Sequence, residues 1–383
     1  MERSCSPSGI CSPGSRRAGG RRWSAPPEAG VIDAPRSLAE IGGRAAARVD
    51  ELLAAELTRW TAIDAALVEP FEALRAFVAD AGKRLRPAFC YWGFVAAGGS
   101  PASQAVVDAG AAIELLHTCA LIHDDVMDGS LRRRGHAAMH IAFADRHRLR
   151  EWRGDANRFG AGAAILIGDL AFVYADILLR DAPTSAVDVF ADLRLEVNVG
   201  QYLDLQGTAS GQASQRQAHT IDVYKSGKYT VERPLHLGVA LVGGARLDEL
   251  AAPLSRYGLP LGEAFQLRDD LLGAFGDDRV LGKSVGDDLR EGKPTALYAI
   301  ARERAQGAAA GVLRDRFGQP DLTEADLEAI QQIFVETGAR LAVEQEVDRL
   351  AAEALAALAD APINNEARRE LQDLAKFIIG RDR

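Results

Sequence analysis

The sequence predicts an all-α fold: a single-domain helical bundle around a central cavity. Three observations point there. Apolar residues recur at three- and four-residue steps along most of the chain, as in Val106, Ala109, Ile113, Leu116 and Ala120, which places them on one helical face. No stretch alternates apolar and polar residues convincingly enough for a half-buried strand, and no internal repeat is visible. Hydrophobic residues make up 48% of the 383 and aromatics only 6%, with abundant Ala and Leu, a composition suited to helices around a substantial core.

Taken in order, residues 1–35 are rich in Gly, Ser, Pro and Arg without apolar periodicity, and are expected to be a disordered tail. They lack the apolar segment of a secretory signal. Residues 36–383 are expected to form one folded domain. Helical periodicity covers roughly 45–80, 84–98, 103–128, 160–180, 185–206, 219–243, 247–274, 294–305, 323–359 and 365–380. Loops are expected over 129–158, which is rich in Arg and His, over 207–218, and over 276–293, which mixes Gly with Asp and Lys.

Composition also excludes some classes of function. A net charge of −9 argues against a general nucleic-acid binder, which would show a basic surface. No run of 18 apolar residues occurs, so no membrane span is expected. Cys5, Cys11, Cys90 and Cys119 have neither zinc-site spacing nor a disulfide pattern, which fits a reducing cytoplasm. The chain uses only six lysines (Lys83, Lys225, Lys228, Lys283, Lys293 and Lys376), five of them beside glycines or acidic clusters. A compact ammonium in such a place suits phosphate.

Two acidic clusters carry the chemistry: Asp124-Asp125-Val126-Met127-Asp128 and Asp269-Asp270. Each lies in an apolar helical stretch, where acidic pairs are costly unless something positive binds them. Mg²⁺ suits such carboxylates, because it usually joins one or two of them to substrate phosphates. Asp124 and Asp128 are four apart and share a helical face; Asp125 points about 100° away and is placed to support that face. A solvated acidic helix end is the blander alternative, but the preceding run Ile113–Ile122 reads as buried. Gly82-Lys83-Arg84-Leu85-Arg86-Pro87 lies upstream and Arg133-Arg134-Gly135 just downstream. Surface ion pairs would contribute little there; a metal–diphosphate site explains the basic groups better.

These motifs together resemble the trans-polyprenyl diphosphate synthases, the family of farnesyl and geranylgeranyl diphosphate synthases. The resemblance continues in the family's order through Gly200-Gln201-Tyr202-Leu203-Asp204, Lys225-Ser226-Gly227, Phe265-Gln266-Leu267-Arg268-Asp269-Asp270, Gly282-Lys283 and Gly292-Lys293, and covers roughly residues 45–380. It implies an isoprenoid synthase-like bundle, with 36–383 as the catalytic domain, that joins an allylic prenyl diphosphate to isopentenyl diphosphate and releases diphosphate. It further implies three Mg²⁺ ions per site, two on Asp124 and Asp128 and a third on Asp269. Lys225, Lys283 and Arg133 would hold the allylic diphosphate; Lys83, Arg86, His117 and Arg134 would hold that of isopentenyl diphosphate. Gln201, Asp204 and Gln266 would tune the metal–lysine cluster, with Asp125 and Asp270 beside them; Ser226 would bind substrate along with Gln201 and Gln266, and Lys293 would bind it by closing over the site. Family members pack as homodimers. Metals and cationic side chains stabilise the departing diphosphate, and a closed apolar cavity keeps water from the carbocation.

One departure stands out. The second cluster reads Asp269-Asp270-Leu271-Leu272-Gly273, where the fuller pattern ends in Asp. Asp277, Asp287 or Asp288 could supply an oxygen through water, or the loss is simply tolerated; an active enzyme is expected either way. Product length depends on what blocks the cavity below the first cluster. Cys119 and Ala120, five and four residues before Asp124, are small and leave it open; Leu116 and Ile113 further down, or Phe172 or Tyr202 opposite, could form a floor. Geranylgeranyl diphosphate is the expected product, with longer polyprenyl chains next and farnesyl diphosphate third; Cys119 could equally be an ordinary small core residue. A class I terpene cyclase would not need Lys83, Arg86 and Arg134 for a second diphosphate. A non-catalytic prenyltransferase subunit should have lost the first cluster or the basic residues.

Overall fold

A long helix threads the middle of the bundle and is covered on most sides. It is α4, Gln104–Asp128, and half of its residues are buried. The computed structural model describes residues 34–80, 82–211, 214–276 and 286–380. The N-terminal tail, Cys5, Cys11, Asp277, Gly282, Lys283, Arg381 and Arg383 lie outside the described residues.

Preceding α4 are α1 (Arg36–Thr61), a 3₁₀ turn (Ala65–Leu67), α2 (Val68–Ala79) and α3 (Leu85–Ala96). After it come a hairpin of two short strands, β1 (Arg132–Arg133) and β2 (His136–Ala137), then α5 (Met139–Leu149), α6 (Ala156–Leu179), α7 (Thr184–Ser210) and α8 (Gln215–Ile221). The chain then winds as a π-helix over Asp222–Glu232 and returns to α-helix as α9 (Arg233–Ala240). Next come α10 (Gly244–Phe275), α11 (Asp287–Glu291), α12 (Ala296–Arg304), α13 (Gly307–Arg316), α14 (Glu324–Glu336), α15 (Ala339–Asp360) and α16 (Asn365–Ile379).

Several sequence expectations are corrected here. The span 45–80 is two helices, because Asp64 caps the 3₁₀ turn by accepting from Ala66 N at 2.8 Å. The loop over 129–158 contains the hairpin and α5. The loop over 207–218 shrinks, since α7 runs on to Ser210 and α8 starts at Gln215. The span 323–359 breaks at Gly338, whose φ of 69° ends one helix and starts the next.

The apolar core has three parts. The first surrounds α4, with Ile113, Leu116 and Ile122 against Ile167 and Ala171 of α6 and Phe190 and Leu193 of α7. The second joins α3, α9, α10 and α16 around Phe89 and Tyr257, whose hydroxyl donates to Leu371 O at 2.7 Å. The third gathers α12, α14 and α15 on the end of α10, around Leu271, Ile330 and Phe334. Two helices, α4 and α6, are long and apolar enough to cross a membrane by composition alone; 67% and 39% of their most apolar windows are buried within the protein. The α4 window is core, and α4 itself ends in the first acidic cluster, so its apolar character is accounted for by packing.

The π segment sits between α7 and α10 at very close range. A Cβ on Gly200 of α7 would stand 2.4 Å from Lys225 N, and one on Gly262 of α10 would stand 2.4 Å from Gly227 Cα. Only glycine at both positions lets the three backbones meet. This contact places Lys225 and Ser226 between α7 and α10, the helix that carries the second acidic cluster, with Lys225 Nζ 3.3 Å from Asp124 of the first.

Candidate active site

Asp124 of the first cluster and Asp269 and Asp270 of the second face one cavity of about 340 Å³. Asp124 and Arg133 line one wall; Asp269, Asp270 and Gly273 line the other. Asp204, Asp222, Lys225, Ser226 and Gln266 lie between them, and Asp287, Asp288 and Lys293 border it from the segment after α10.

On the first wall, α4 ends at Gly129 in the left-handed region, and the hairpin turns the chain back over it. That return carries Arg133 onto Asp125, which is fully buried; Arg133 Nε donates to Asp125 Oδ1 at 2.9 Å, and Nη2 lies 3.4 Å from Asp124 Oδ2. Asp125 thus supports the face from the side, holding the arginine rather than facing the cavity itself. Asp124 Oδ1 accepts from Gln201 Nε2 at 2.9 Å and from Lys225 Nζ at 3.3 Å. Asp128 Oδ2 accepts from Lys293 Nζ at 2.9 Å.

Lysines bridge the walls. Lys225 Nζ donates to Asp204 Oδ2 at 2.7 Å as well as to Asp124. Burial works against the Lys225 ammonium and Lys293 repels it, but Asp124 and Asp204 together hold its pKa above the ordinary lysine value. Burial likewise opposes the Lys293 charge, and Asp288, Asp128, Asp124 and Glu291 overcome it, so this pKa stands well above the ordinary value. Both ammoniums are therefore fixed positive charges at neutral pH.

The second wall is short of positive charge. Ser226 Oγ donates to Gln266 Oε1, and Gln266 Nε2 donates to Asp270 Oδ1 at 2.7 Å. Burial first, and then Asp288, push the Asp270 carboxyl up to about 8, against the opposing Gln266 bond. Asp222 is buried beside it and is raised well above the carboxylate range by burial and by Asp270. The Oδ2 atoms of Asp222 and Asp270 are buried without a hydrogen-bond partner. Buried acids in that condition fit a cation brought with the ligand. Among the described residues no group of three His, Cys, Asp or Glu side chains is already gathered as a protein-only metal cage. A hard ion that takes one or two carboxylates and completes its shell from phosphate and water fits this donor set.

Behind the first wall, Arg86 and Arg134 lie close enough to His117 to act on its charge. Arg86 Nη1 is 3.2 Å from His117 Nε2, Arg86 Nη2 donates to Thr230 Oγ1 at 3.0 Å, and the guanidinium stands 4.5 Å from the centroid of the Tyr229 ring. Arginine can only donate, so His117 Nε2 accepts, and the ring proton belongs on Nδ1, 3.2 Å from the Tyr229 hydroxyl. Burial, followed by the charges of Arg86 and Arg134, pushes His117 well below its ordinary pKa and keeps it neutral. Lys83 Nζ stands 5.0 Å from the centroid of the Phe377 ring, and Arg134 donates to Asp80 O. Glu114, which sequence reasoning passed over, is buried 3.9 Å from Arg84; burial raises its pKa against the pull of Arg84, Arg86 and Arg134.

Of the residues weighed for product length, Leu116 and Cys119 are buried in the first core, with Cys119 Sγ 3.7 Å from His123 Nδ1, and Ala120 is half-buried. Phe172 packs on the same core. Tyr202 is 68% exposed on α7, so it forms no floor within the chain. Lys228 pairs with Glu196, which also takes Arg233 Nε at 2.6 Å. Asp222 is the site residue that sequence reasoning missed most plainly. Its signal was available: an acid in an apolar helix three residues before Lys225.

The model of the polyprenyl synthetase family matches residues 69–334. The chain belongs to that family. It is a trans-prenyltransferase. The short chain isoprenyl diphosphate synthase of Methanothermobacter thermautotrophicus is 33% identical over 326 residues, covering 82% of this chain and 92% of the relative. The octaprenyl diphosphate synthase of Escherichia coli is 32% identical, over 80% of this chain and 88% of its own. Among solved structures, a geranylgeranyl pyrophosphate synthase of Corynebacterium glutamicum, complexed with isoprenyl diphosphate and magnesium, superposes with a TM-score of 0.85 at 36% identity, over 90% of this chain and 99% of that one. The helical fold of this prenyltransferase is therefore that of known isoprenyl diphosphate synthases.

Proposed function

We propose that this prenyltransferase condenses an allylic prenyl diphosphate with isopentenyl diphosphate, head to tail, using magnesium. The observation that carries the reading is the single cavity shared by Asp124 and Asp269 and lined by Lys225. Asp124, Asp128 and Asp269 would hold the metal, three ions in all, and bound magnesium would neutralise the diphosphate as a leaving group. Lys225, Arg133 and Lys293 add fixed positive charge where the departing anion develops, so little reorganisation is needed during reaction. Lys283 is assigned the same task by its motif. Gln201 and Asp204 orient Asp124 and Lys225; Asp125 orients Arg133; Ser226 and Gln266 orient Asp270. Lys83, Arg86, neutral His117 and Arg134 would hold the second diphosphate so that its alkene meets the cation.

A C20 product is the favoured outcome, because Ala120 and Cys119 are small and a geranylgeranyl synthase is a structural relative at 36% identity. A longer chain is the second reading, supported by the octaprenyl relative. The protein would act as a homodimer. In support, α6 presents Phe159, Leu166, Val173 and Ile177 at steps of seven, seven and four residues, and α7 presents Leu195, Val199 and Tyr202, all exposed on the single chain. A cytoplasmic location and a single catalytic domain from residue 36 complete the proposal.

One assay tests it. Purified protein is incubated with Mg²⁺, isopentenyl diphosphate and each allylic diphosphate in turn, and the products are separated by chromatography. Elongated diphosphates are expected; cyclised hydrocarbons would indicate a cyclase, and silence without a partner protein a non-catalytic subunit. Asp124→Ala and Asp269→Ala should each lower turnover by about 100-fold or more.

A further inference from the structure

The second acidic cluster ends in glycine, and the space its missing side chain would enter is already taken. A Cβ on Gly273 would stand 2.5 Å from Asp288 Oδ2, so no larger residue fits there while Asp288 keeps its place. The arrangement is anchored by the backbone. Gly286 N–H donates to Gly273 O at 2.9 Å, bringing the returning chain onto the last turns of α10. Gly286 has φ +87°, and a Cβ there would also strike Leu327 at 2.8 Å, so both its conformation and its surroundings call for glycine. Two residues later Asp288 lines the same cavity as Asp269 and Asp270.

Resting on the reading of this cavity as a cation–diphosphate site, we infer that Asp288 supplies the carboxylate that position 273 lacks. The acid reaches the second wall from the segment that starts at Gly286 rather than from the next turn of the helix. A second, independent observation points to a ligand: Asp270 is 95% buried by its 5% exposure, lines the cavity, and has an Oδ2 without a hydrogen-bond partner. The Lys293 ammonium stands 3.9 Å from Asp288 and is shared with Asp128 at 2.9 Å and Glu291 at 3.0 Å. That lysine is too heavily shared to neutralise this wall alone. Asp269, Asp270 and Asp288 together make a wall that a divalent cation bound with diphosphate would complete, with Gly273 as the vacancy in side-chain volume that lets Asp288 in.

The test measures Mn²⁺ binding by electron paramagnetic resonance in the presence of inorganic pyrophosphate, with folding of each variant followed by circular dichroism. Asp288→Asn removes the charge at constant shape and should weaken Mn²⁺ binding about 10- to 100-fold, the usual range for a carboxylate that supports a metal site. Asp288→Ala should do the same, and the double variant Gly273→Asp with Asp288→Ala should recover most of the loss, since the new side chain then finds open space. Binding by Asp288→Asn within about twofold of wild type, or a folded double variant no tighter than Asp288→Ala, would overturn the inference. Asp269→Asn is the control. If it weakens binding while Asp288→Asn does not, only the role of Asp288 fails; if neither does, the cation reading of the cavity fails.

Discussion

Gly200→Ala tests whether the contact between α7 and the π segment sets the geometry of the site. The new Cβ would lie 2.4 Å from Lys225 N and 2.7 Å from its Cα, against 3.4–4 Å for ordinary contact. Both opposing atoms are backbone, so no side chain can swing aside; helix and segment must part by about 1 Å, a misplacement that costs about 100-fold in rate when it reaches reacting groups. It reaches them directly. The neighbour of Gly200 is Gln201, which binds Asp124 at 2.9 Å, and Lys225 binds Asp204 of the same helix at 2.7 Å. Steady-state condensation assays should show kcat reduced about 100-fold, equal to about 2.7 kcal/mol of transition-state stabilisation. Gly43→Ala is the matched control, since a Cβ there meets nothing within 4 Å, and it should leave kcat unchanged. A folded Gly200→Ala enzyme retaining more than a third of wild-type kcat would refute the reasoning.

Three further outcomes are expected. Lys83→Ala should raise the apparent KM for isopentenyl diphosphate about tenfold, the size of one charge-assisted hydrogen bond, with little change in kcat; initial-rate kinetics with the allylic substrate saturating will show it. Ala120→Phe should shorten the product by at least one isoprene unit in the chromatographic assay, and an unchanged product length would remove the argument from cavity depth. His117 gives a pH dependence of stability whose sign is fixed by its lowered pKa. The unfolded chain takes up this proton near pH 6.5 while the folded chain resists it, so the contribution is complete above about pH 6.5 and is lost as pH falls, by at most about 1.4 kcal/mol per pH unit. Urea unfolding between pH 7.5 and 5 should therefore show a shallower slope for His117→Asn than for wild type.

The legibility of this fold in its sequence varied from helix to helix for physical reasons. The helix α4 was readable because its buried side is continuous from Val106 to Ile122. The helix α5 was not, since only Met139, Phe143, Ala144 and His147 are buried among its charged residues. The break after Thr61 was masked by Ile63, which reads as core but is 71% exposed. At the site, motif order led to Asp124, Asp128, Lys225 and Asp269, because those residue types are costly in apolar helices without a ligand. Asp222 escaped, since the π winding changes which neighbours share a face. Asp288 was one of three acids the sequence offered for the gap at Gly273, and local periodicity could not choose among them, because the close approach of the two residues joins positions far apart along the chain.

The π winding has a consequence for how this stretch can vary. Ordinary α-helix turns 100° per residue, so loss or gain of one residue between Asp222 and Glu232 would swing everything before it against everything after it. Lys225 would leave Asp204, or Leu235, whose carbonyl lies against Gly93 of α3, would leave its seat. The residue count cannot drift here, and among homologous enzymes this eleven-residue span should be the stretch least tolerant of length change.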